Sequence, residues 1–195
     1  MVGVGYWDLS LSLVSTIRHD GDGGVADDLD TVAGLSDWLA VAPDLGAEPP
    51  AATEELRQRV TELRAAIRSL FARAVRPLEP SRADAKNLID VETALARLNA
   101  AAAGLGPPTL QWPPGGAPRL IYPITATNAE GRLLAALAEA ATGFLAGPDV
   151  TRLRACPAPR CVRYFLQGDP RQAWCKPSCG NRARVARHYQ RHRSD

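Results

Sequence analysis

All four cysteines of this 195-residue chain lie in one short window, in the pattern C-x4-C-x13-C-x3-C. Two closely spaced pairs separated by a longer loop can bring four thiolates around one point, which is the tetrahedral all-sulfur arrangement that zinc favours. Four protein ligands leave no open position for water, so such an ion is structural. The pattern predicts one structural zinc ion per chain, held by Cys156, Cys161, Cys175 and Cys179.

The same cysteines are also compatible with a disulfide framework, an iron–sulfur cluster or unrelated buried thiols. The chain opens Met-Val-Gly-Val-Gly-Tyr-Trp-Asp, without the basic and apolar regions of a secretory signal, so we expect the thiols to stay reduced. Neither common ferredoxin spacing is present. The ligand number and the paired spacing therefore favour zinc.

The residues after the last cysteine have their own physical roles. Gly180 directly follows a ligand, where a turn around a metal often needs a positive φ or a close backbone approach. Asn181 is a good helix N-cap, because its side-chain oxygen can accept a hydrogen bond from an unpaired amide of the first turn. The sequence therefore predicts a helix that begins at Asn181.

Two stripes run along this predicted helix. Arg184, Arg187 and Arg191 are spaced i, i+3, i+7 and form one stripe, while Val185 and Tyr189 form another. We expect the apolar stripe to pack on the zinc knuckle, the segment 156–179 that carries the four cysteines, and the arginines to face an anionic partner. The planar guanidinium fork suits this role, because it binds phosphate or guanine through two hydrogen bonds.

The segment Cys179-Gly-Asn-Arg182, with Trp174 before Cys175 and the aromatic pair Tyr164 and Phe165, resembles the CGNR zinc finger family. In that family the finger is the C-terminal module of bacterial proteins regarded as stress-related transcription regulators. It follows a helical module called the ABATE domain. The resemblance implies that the four cysteines are the zinc ligands and that DNA is the partner. It also implies that the helical part senses a small-molecule effector or forms a homodimer.

Charge is distributed unevenly along the chain. Residues 151–195 hold eleven Lys or Arg against two Asp or Glu, a net charge of +9, whereas residues 1–150 carry −7. A basic end on an acidic body indicates a nucleic-acid partner. Charge alone also permits a solubilising tail or an adaptor whose finger binds an acidic protein, and the adaptor is the alternative function. The predicted DNA contacts are Arg182, Arg184, Arg187, His188 and Arg191.

The remainder of the chain reads as mainly α. Residues 1–150 are predicted to form one helical, ABATE-like domain with a small β-hairpin, and residues 151–195 the finger that ends in a basic helix. Helices are expected over 31–42, over 53–75, from Ser81 to the residue before Gly104, and from a capping box at Thr127 to Gly147. The hairpin is expected to pair 109–112 with 119–124.

The N-terminal segment is less regular. Leu9, Leu11 and Leu13 alternate with serines, which predicts a short strand. Family members usually show a Leu-Asp-Phe-x-Asn-Thr-like signature here, whereas this chain has serine at the acidic and the amide positions of the segment from Leu11 to Thr16. If relatives use that signature to line a pocket, we expect this protein to bind something different or nothing there.

Other motifs carry less weight. The run from Asp20 to Gly24 resembles a calcium loop but lacks its glycine and its final glutamate, so we expect a mobile acidic loop. His188 and His192 are spaced i, i+4 and could replace a cysteine pair, although four cysteines already complete a site. Trp7, Trp38, Trp112 and Tyr122 are expected in the core rather than around a ligand.

Catalytic and membrane signatures are both missing from the sequence. It contains no nucleophile elbow, P-loop or dinucleotide fingerprint, so we expect no enzymatic activity. It also contains no apolar run as long as a membrane span. We therefore expect a cytoplasmic protein without a membrane partner, which associates with the nucleoid when bound to DNA.

Overall fold

The computed structural model describes residues 7–22, 24–42, 45, 49–75, 79–80 and 87–192. These residues form six α-helices and three separate two-stranded antiparallel sheets. Each sheet is made of two strands that are consecutive along the chain. The helices are α1 (Trp7–Val14), α2 (Val32–Val41), α3 (Glu54–Ala74), α4 (Val91–Ala102), α5 (Ala129–Ala146) and α6 (Pro177–His192). The strands are β1 (Ile17–His19), β2 (Val25–Asp27), β3 (Thr109–Gln111), β4 (Arg119–Ile121), β5 (Leu153–Ala155) and β6 (Tyr164–Leu166). The predicted fold, mainly α with small hairpins and a C-terminal four-cysteine cluster followed by a helix, is confirmed.

Helix α3 is the centre of the body. It begins where the side chain of Thr53 accepts a hydrogen bond from the amide of Leu56, as the sequence predicts. The apolar residues that recur along it at helical spacing are buried against α1, α2, α4 and α5. Its predicted end at Pro77 lies outside the described residues. Helix α2 also matches its prediction, since it begins after the cap Thr31.

The core of the body continues into the C-terminal region. The ring of Phe71 on α3 lies 5.2 Å from the ring of Phe144 and 5.8 Å from that of Tyr164 on β6, measured between centroids. Leu153 on β5 is also fully enclosed in this core. A 3-10 turn, Pro148–Arg152, joins α5 to β5. The β5–β6 pair therefore packs directly against the helices.

The predicted N-terminal strand is wrong, because residues 7–14 form helix α1. Leu9 and Leu13 are spaced i, i+4 and are buried together with Ser10 and Val14. The period of burial is therefore that of a helix. The alternation of leucine and serine was misleading because one of the serines, Ser10, is itself buried.

Polar contacts hold the segment that follows α1 inside the fold. Arg64 on α3 is almost fully buried and binds both carboxylate oxygens of Asp27 at 2.6 Å. It also donates to the hydroxyl of Thr16 at 2.8 Å. Burial alone would raise the pKa of Asp27, but the hydrogen bonds from Arg64 and the Leu29 amide, with the charge of Arg64, hold it below its usual value. Ser12, at the acidic position of the family signature, accepts a hydrogen bond from the indole of Trp38 at 3.1 Å and so has a structural partner.

Two other helix starts differ from the sequence prediction. Helix α5 is capped by Asn128, whose side chain accepts from the amide of Gly131, rather than by Thr127. Helix α4 begins at Val91, after the cap Asp90, which is later than the predicted start at Ser81. Ser81, its predicted first cap, lies outside the described residues. At the start of α5, Thr127 and Asn128 are adjacent capping residues, and local sequence does not rank the two.

The predicted hairpin is confirmed, with Leu110 of β3 opposite Leu120 of β4. Both side chains are exposed, and so are Trp112 and Tyr122, which were expected in the core. Trp38, in contrast, is buried as predicted, and the side chain of Trp7 lies outside the described ones. None of the helices in the described ranges is long and apolar enough to cross a membrane.

Candidate metal centre and basic helix

The four cysteine side chains converge on one point. Their Sγ atoms all lie within 4.8 Å of one another. The Sγ of Cys175 is 3.5 Å from that of Cys179, and the Sγ of Cys161 is 3.9 Å from each of them. A tetrahedral zinc ion with bonds of about 2.3 Å to sulfur requires sulfur–sulfur distances of about 3.8 Å. The sulfur positions therefore fit zinc, and these four cysteines can hold it.

Two short local structures position the ligands. Cys156 follows β5 and Cys161 precedes β6, and the turn between them is closed by a hydrogen bond from the Cys161 amide to the carbonyl of Ala158. Within this turn Arg160 has a φ of +62°, a left-handed conformation that is uncommon outside glycine. Cys175 precedes α6, and Cys179 lies in its first turn.

A small apolar shell encloses the cluster. Cys156, Cys161 and Cys179 are buried with Phe165, and Trp174 packs against them. Phe165 and its neighbour Tyr164 project from opposite faces of β6, as successive strand residues do, so one contacts the metal cluster and the other the core of the body. A closed site with four protein ligands suits a structural ion rather than a catalytic one.

Four thiols packed this closely cannot all lose their protons without a cation, because the thiolates repel one another. Hydrogen bonds from Cys156 and Cys175 lower the pKa of Cys161, whereas hydrogen bonds to Cys156 and Cys161 raise the pKa of Cys175. A bound zinc ion removes this conflict, since its charge favours the thiolate form at every ligand.

The residues after Cys179 are arranged differently from the prediction. Helix α6 begins at Pro177, so Asn181 lies in its second turn with an exposed side chain and is not the cap. Gly180 does not have a positive φ, but a Cβ atom there would lie 3.0 Å from the Trp174 ring, so the close-approach alternative holds. Arg182 is half-buried and donates from Nη2 to the Sγ of Cys179 at 3.4 Å. This contact places a positive charge beside the ligands.

The packing face of α6 is set by Cys179 and Ala183, both of which are buried. The prediction that Val185 and Tyr189 pack on the cysteine cluster is wrong. Val185 is 55% exposed and Tyr189 is 66% exposed. The predicted arginine stripe is exposed as expected. Beyond Ala186, every described side chain of α6 is exposed, which leaves the helix projecting from the cluster: Arg187, His188, Tyr189, Gln190 and Arg191.

Of the two histidines considered as alternative metal ligands, the structure describes the side chain of one. His188 is exposed and its ring packs edge-on against Tyr189, while the side chain of His192 lies outside the described ones. In the acidic loop, the carboxylate of Asp20 accepts hydrogen bonds from the amides of Asp22 and Gly24. Within the described part of the chain, the four cysteines are the one group of three or more potential ligands.

Two cavities escaped the sequence analysis. One, of about 330 Å³, lies between the β3–β4 hairpin and α5 and is lined by Tyr122 and Glu139, and burial raises the pKa of this glutamate. The other, of about 260 Å³, lies beside the cysteines, where Arg18 and His19 of β1 approach the finger. No local pattern could reveal the second cavity, because its two sides are far apart in the chain.

A helical body joined to a closed four-cysteine site defines a zinc finger protein. The chain matches the family model of ABATE, described as "Putative stress-induced transcription regulator", over residues 8–148. A second model, the CGNR zinc finger, matches residues 152–192. Because the first match spans more than half of the chain, the protein belongs to the ABATE family, and it carries the CGNR zinc finger with one structural zinc ion. A search of the curated proteins found no match.

Proposed function

We propose that this protein is a transcription regulator that binds DNA through α6. The observation that carries the proposal is the exposed basic stripe on a helix that begins between two zinc ligands, with Cys175 before it and Cys179 in its first turn. Arg184, Arg187 and Arg191 are all exposed, and the described ion pairs of the chain include none of them. Their charges are therefore available to a polyanion.

The dimensions and charge of α6 suit a groove of duplex DNA. Its 16 residues make a rod about 24 Å long, and the major groove, about 12 Å wide, admits one α-helix. Arginines on phosphates would supply affinity, and one or two contacts to guanine edges would supply sequence preference. The acidic body, with a net charge of −7 over residues 1–150, would be repelled by DNA, which directs the finger toward it.

Arg182 has a different place in this proposal. Its guanidinium lies against the Sγ of Cys179, so it orients the first turns of α6 and offsets the charge of the thiolates. Its predicted contact with DNA stays a prediction.

Replacing Arg184, Arg187 and Arg191 together by alanine is expected to weaken DNA binding and its salt dependence. Each phosphate contact contributes about −0.9 to the slope of log affinity against log salt, so three lost contacts should reduce that slope by about 2–3. The measurement is a fluorescence anisotropy titration against random duplex DNA at several salt concentrations. The matched control replaces three exposed arginines away from α6, Arg59, Arg119 and Arg171, by alanine. Equal slopes and affinities in the two triple variants would show that the arginines of α6 do not contribute to DNA binding.

An adaptor that binds a protein partner is the second candidate. The exposed side chains of Val185 and Tyr189 favour it, because apolar groups beside a basic stripe also suit an acidic protein surface. Failure of the wild-type finger to bind random duplex DNA at low salt would support the adaptor and exclude the first proposal.

The proposal also assigns roles to the body. The cleft beside Glu139 would take a small-molecule effector, and the exposed hairpin residues Leu110, Trp112 and Leu120 would form the interface of a homodimer. The protein would act without catalytic activity, in the cytoplasm and on the nucleoid. The mass of the intact assembly under native conditions tests the first two roles, and a monomer with nothing bound would contradict them.

A further inference from the structure

The cavity of about 260 Å³ beside the cysteines is strongly basic. On one side it is bounded by β1 and the turn after it, and on the other by the knuckle and the start of α6. Arg18, Arg163, Lys176 and Arg182 line it, together with His19 and Ser178. Four cationic side chains from separate parts of the chain therefore meet around one space that is large enough for a phosphoryl group.

Two of these four cations are already engaged. Arg18 donates to the carboxylate of Asp28 at 2.8 Å, and Arg182 donates to the Sγ of Cys179. The Nε atom of Arg182 is shielded from solvent and has no hydrogen-bond partner among the described residues.

The other two cations have unused donors. Arg163 is half-buried and Lys176 is exposed, and neither forms an ion pair or a side-chain hydrogen bond within the described ranges. A guanidinium carries five N–H donors and an ammonium three. No side-chain nitrogen of Arg163 is among the described atoms that are shielded from solvent without a partner, so its donors are open to an anion that enters the cavity.

We propose that this pocket binds a phosphoryl group, with Arg163 and Lys176 as its principal donors. Arginine offers two parallel hydrogen bonds to phosphate oxygens, and lysine adds a point charge. The first turn of α6, which lines the cavity through Ser178, adds the positive end of its helix dipole. A free phosphate or nucleotide and the DNA backbone offer the same chemistry, and the experiment below separates the two sources.

The position of the pocket gives this binding a consequence. Arg18 and His19 belong to the body, whereas Arg163 and Lys176 belong to the finger. A bound phosphoryl group would therefore bridge the two and fix the start of α6 relative to the body. The inference goes beyond the proposed function, since a free phosphate can fill the pocket whether or not α6 binds DNA.

Negative charge beside the pocket offers a competing explanation for its basic residues. The carboxylate of Asp20 also lines the cavity, and a zinc ion with four thiolates carries a net charge of about −2. The basic residues could serve only to offset this charge, in which case they would support zinc binding and no anion would enter. The two explanations differ in what phosphate does and in what the loss of one cation does to zinc.

The test is calorimetric titration of the zinc-loaded full chain with inorganic phosphate in a chloride buffer. We expect saturable binding at one site per chain, weakened at least about tenfold by Arg163→Ala or Lys176→Ala, because a charge-assisted hydrogen bond to phosphate is lost. Arg171→Ala, which removes an exposed arginine of the finger outside the pocket, should bind phosphate within about twofold of wild type. Lys176→Ala keeps the test decisive if Arg163→Ala does not fold, since Lys176 is exposed.

Duplex DNA titrations in phosphate-free buffer identify the source. If the DNA backbone fills the pocket, Lys176→Ala weakens DNA binding more than Arg171→Ala does, and added phosphate competes with DNA. If a free phosphorylated molecule fills it, these two variants bind DNA equally while their phosphate affinities differ. The proposal is overturned if wild type shows no saturable phosphate binding and the two variants bind DNA equally. Zinc loss in the pocket variants without any effect of phosphate would also overturn it.

Discussion

Changing Cys175 to serine should abolish zinc binding and unfold the finger. A serine hydroxyl does not ionise at neutral pH, so the site loses one of its four anionic ligands. Structural zinc sites contribute about 10–16 kcal/mol to folding in small modules. The apolar cluster around Phe165 and Trp174 is too small to replace that contribution. The zinc content of the purified variant and amide hydrogen exchange over residues 152–192 measure the two effects.

The body should remain helical in this variant but lose part of its stability. Tyr164 belongs to the finger and yet packs on Phe71, so an unfolded finger removes an aromatic side chain from the main core. Burial of such a side chain is worth about 1.5–3 kcal/mol. Ala173→Ser is the matched control, because it places a hydroxyl at an exposed position two residues away. A Cys175→Ser protein that keeps one zinc ion per chain would show that the ligand assignment is wrong.

Arg68→Met is expected to destabilise the protein by about 3–5 kcal/mol, since two hydrogen bonds from a buried charged group are lost. Arg68 is 2% exposed on α3 and donates to the carbonyl of Val14 on α1 and to that of Val162 in the finger, the latter at 2.8 Å. Its guanidinium also lies 5.3 Å from the centre of the Tyr164 ring, a cation–π contact. Methionine preserves much of the apolar stem, so the change isolates the charged group.

Urea denaturation followed by circular dichroism measures this loss. Arg73→Met is the control, because Arg73 lies on the same helix with an exposed side chain, and it should change the free energy of unfolding by less than about 0.5 kcal/mol. Similar unfolding free energies for the two variants would contradict the role of Arg68 as the link between α1, α3 and the finger. A total stability of about 5–15 kcal/mol is typical of proteins, so the expected loss is large.

The sequence correctly predicted the elements whose signals lie within a short stretch of the chain. Helix α3 has a long apolar period and a threonine cap, and both are visible in the sequence. The cysteine cluster was predictable because its ligands lie in two short-spaced pairs. Helix α1 was mistaken for a strand because its 8 residues contain too few turns to separate period two from period 3.6.

The error on the packing face of α6 and the missed tertiary contacts have different causes. The stripe of Val185 and Tyr189 looked like a packing face, but Cys179 must face the metal and Ala183 follows it by one helical turn. The ligand position therefore fixes which face of α6 is buried, and that signal was available in the sequence. The bridge from Arg68 to Val162 and the basic pocket join distant residues, so only the folded chain reveals them.

The mass of the intact protein under native conditions tests the central claim most directly. The account predicts one zinc ion per chain, retained while the C-terminal residues are folded and lost together with their hydrogen-exchange protection when a strong chelator removes the metal. A metal-free chain whose residues 152–192 remain protected would contradict it, because the fold of this segment would then not depend on the four thiolates.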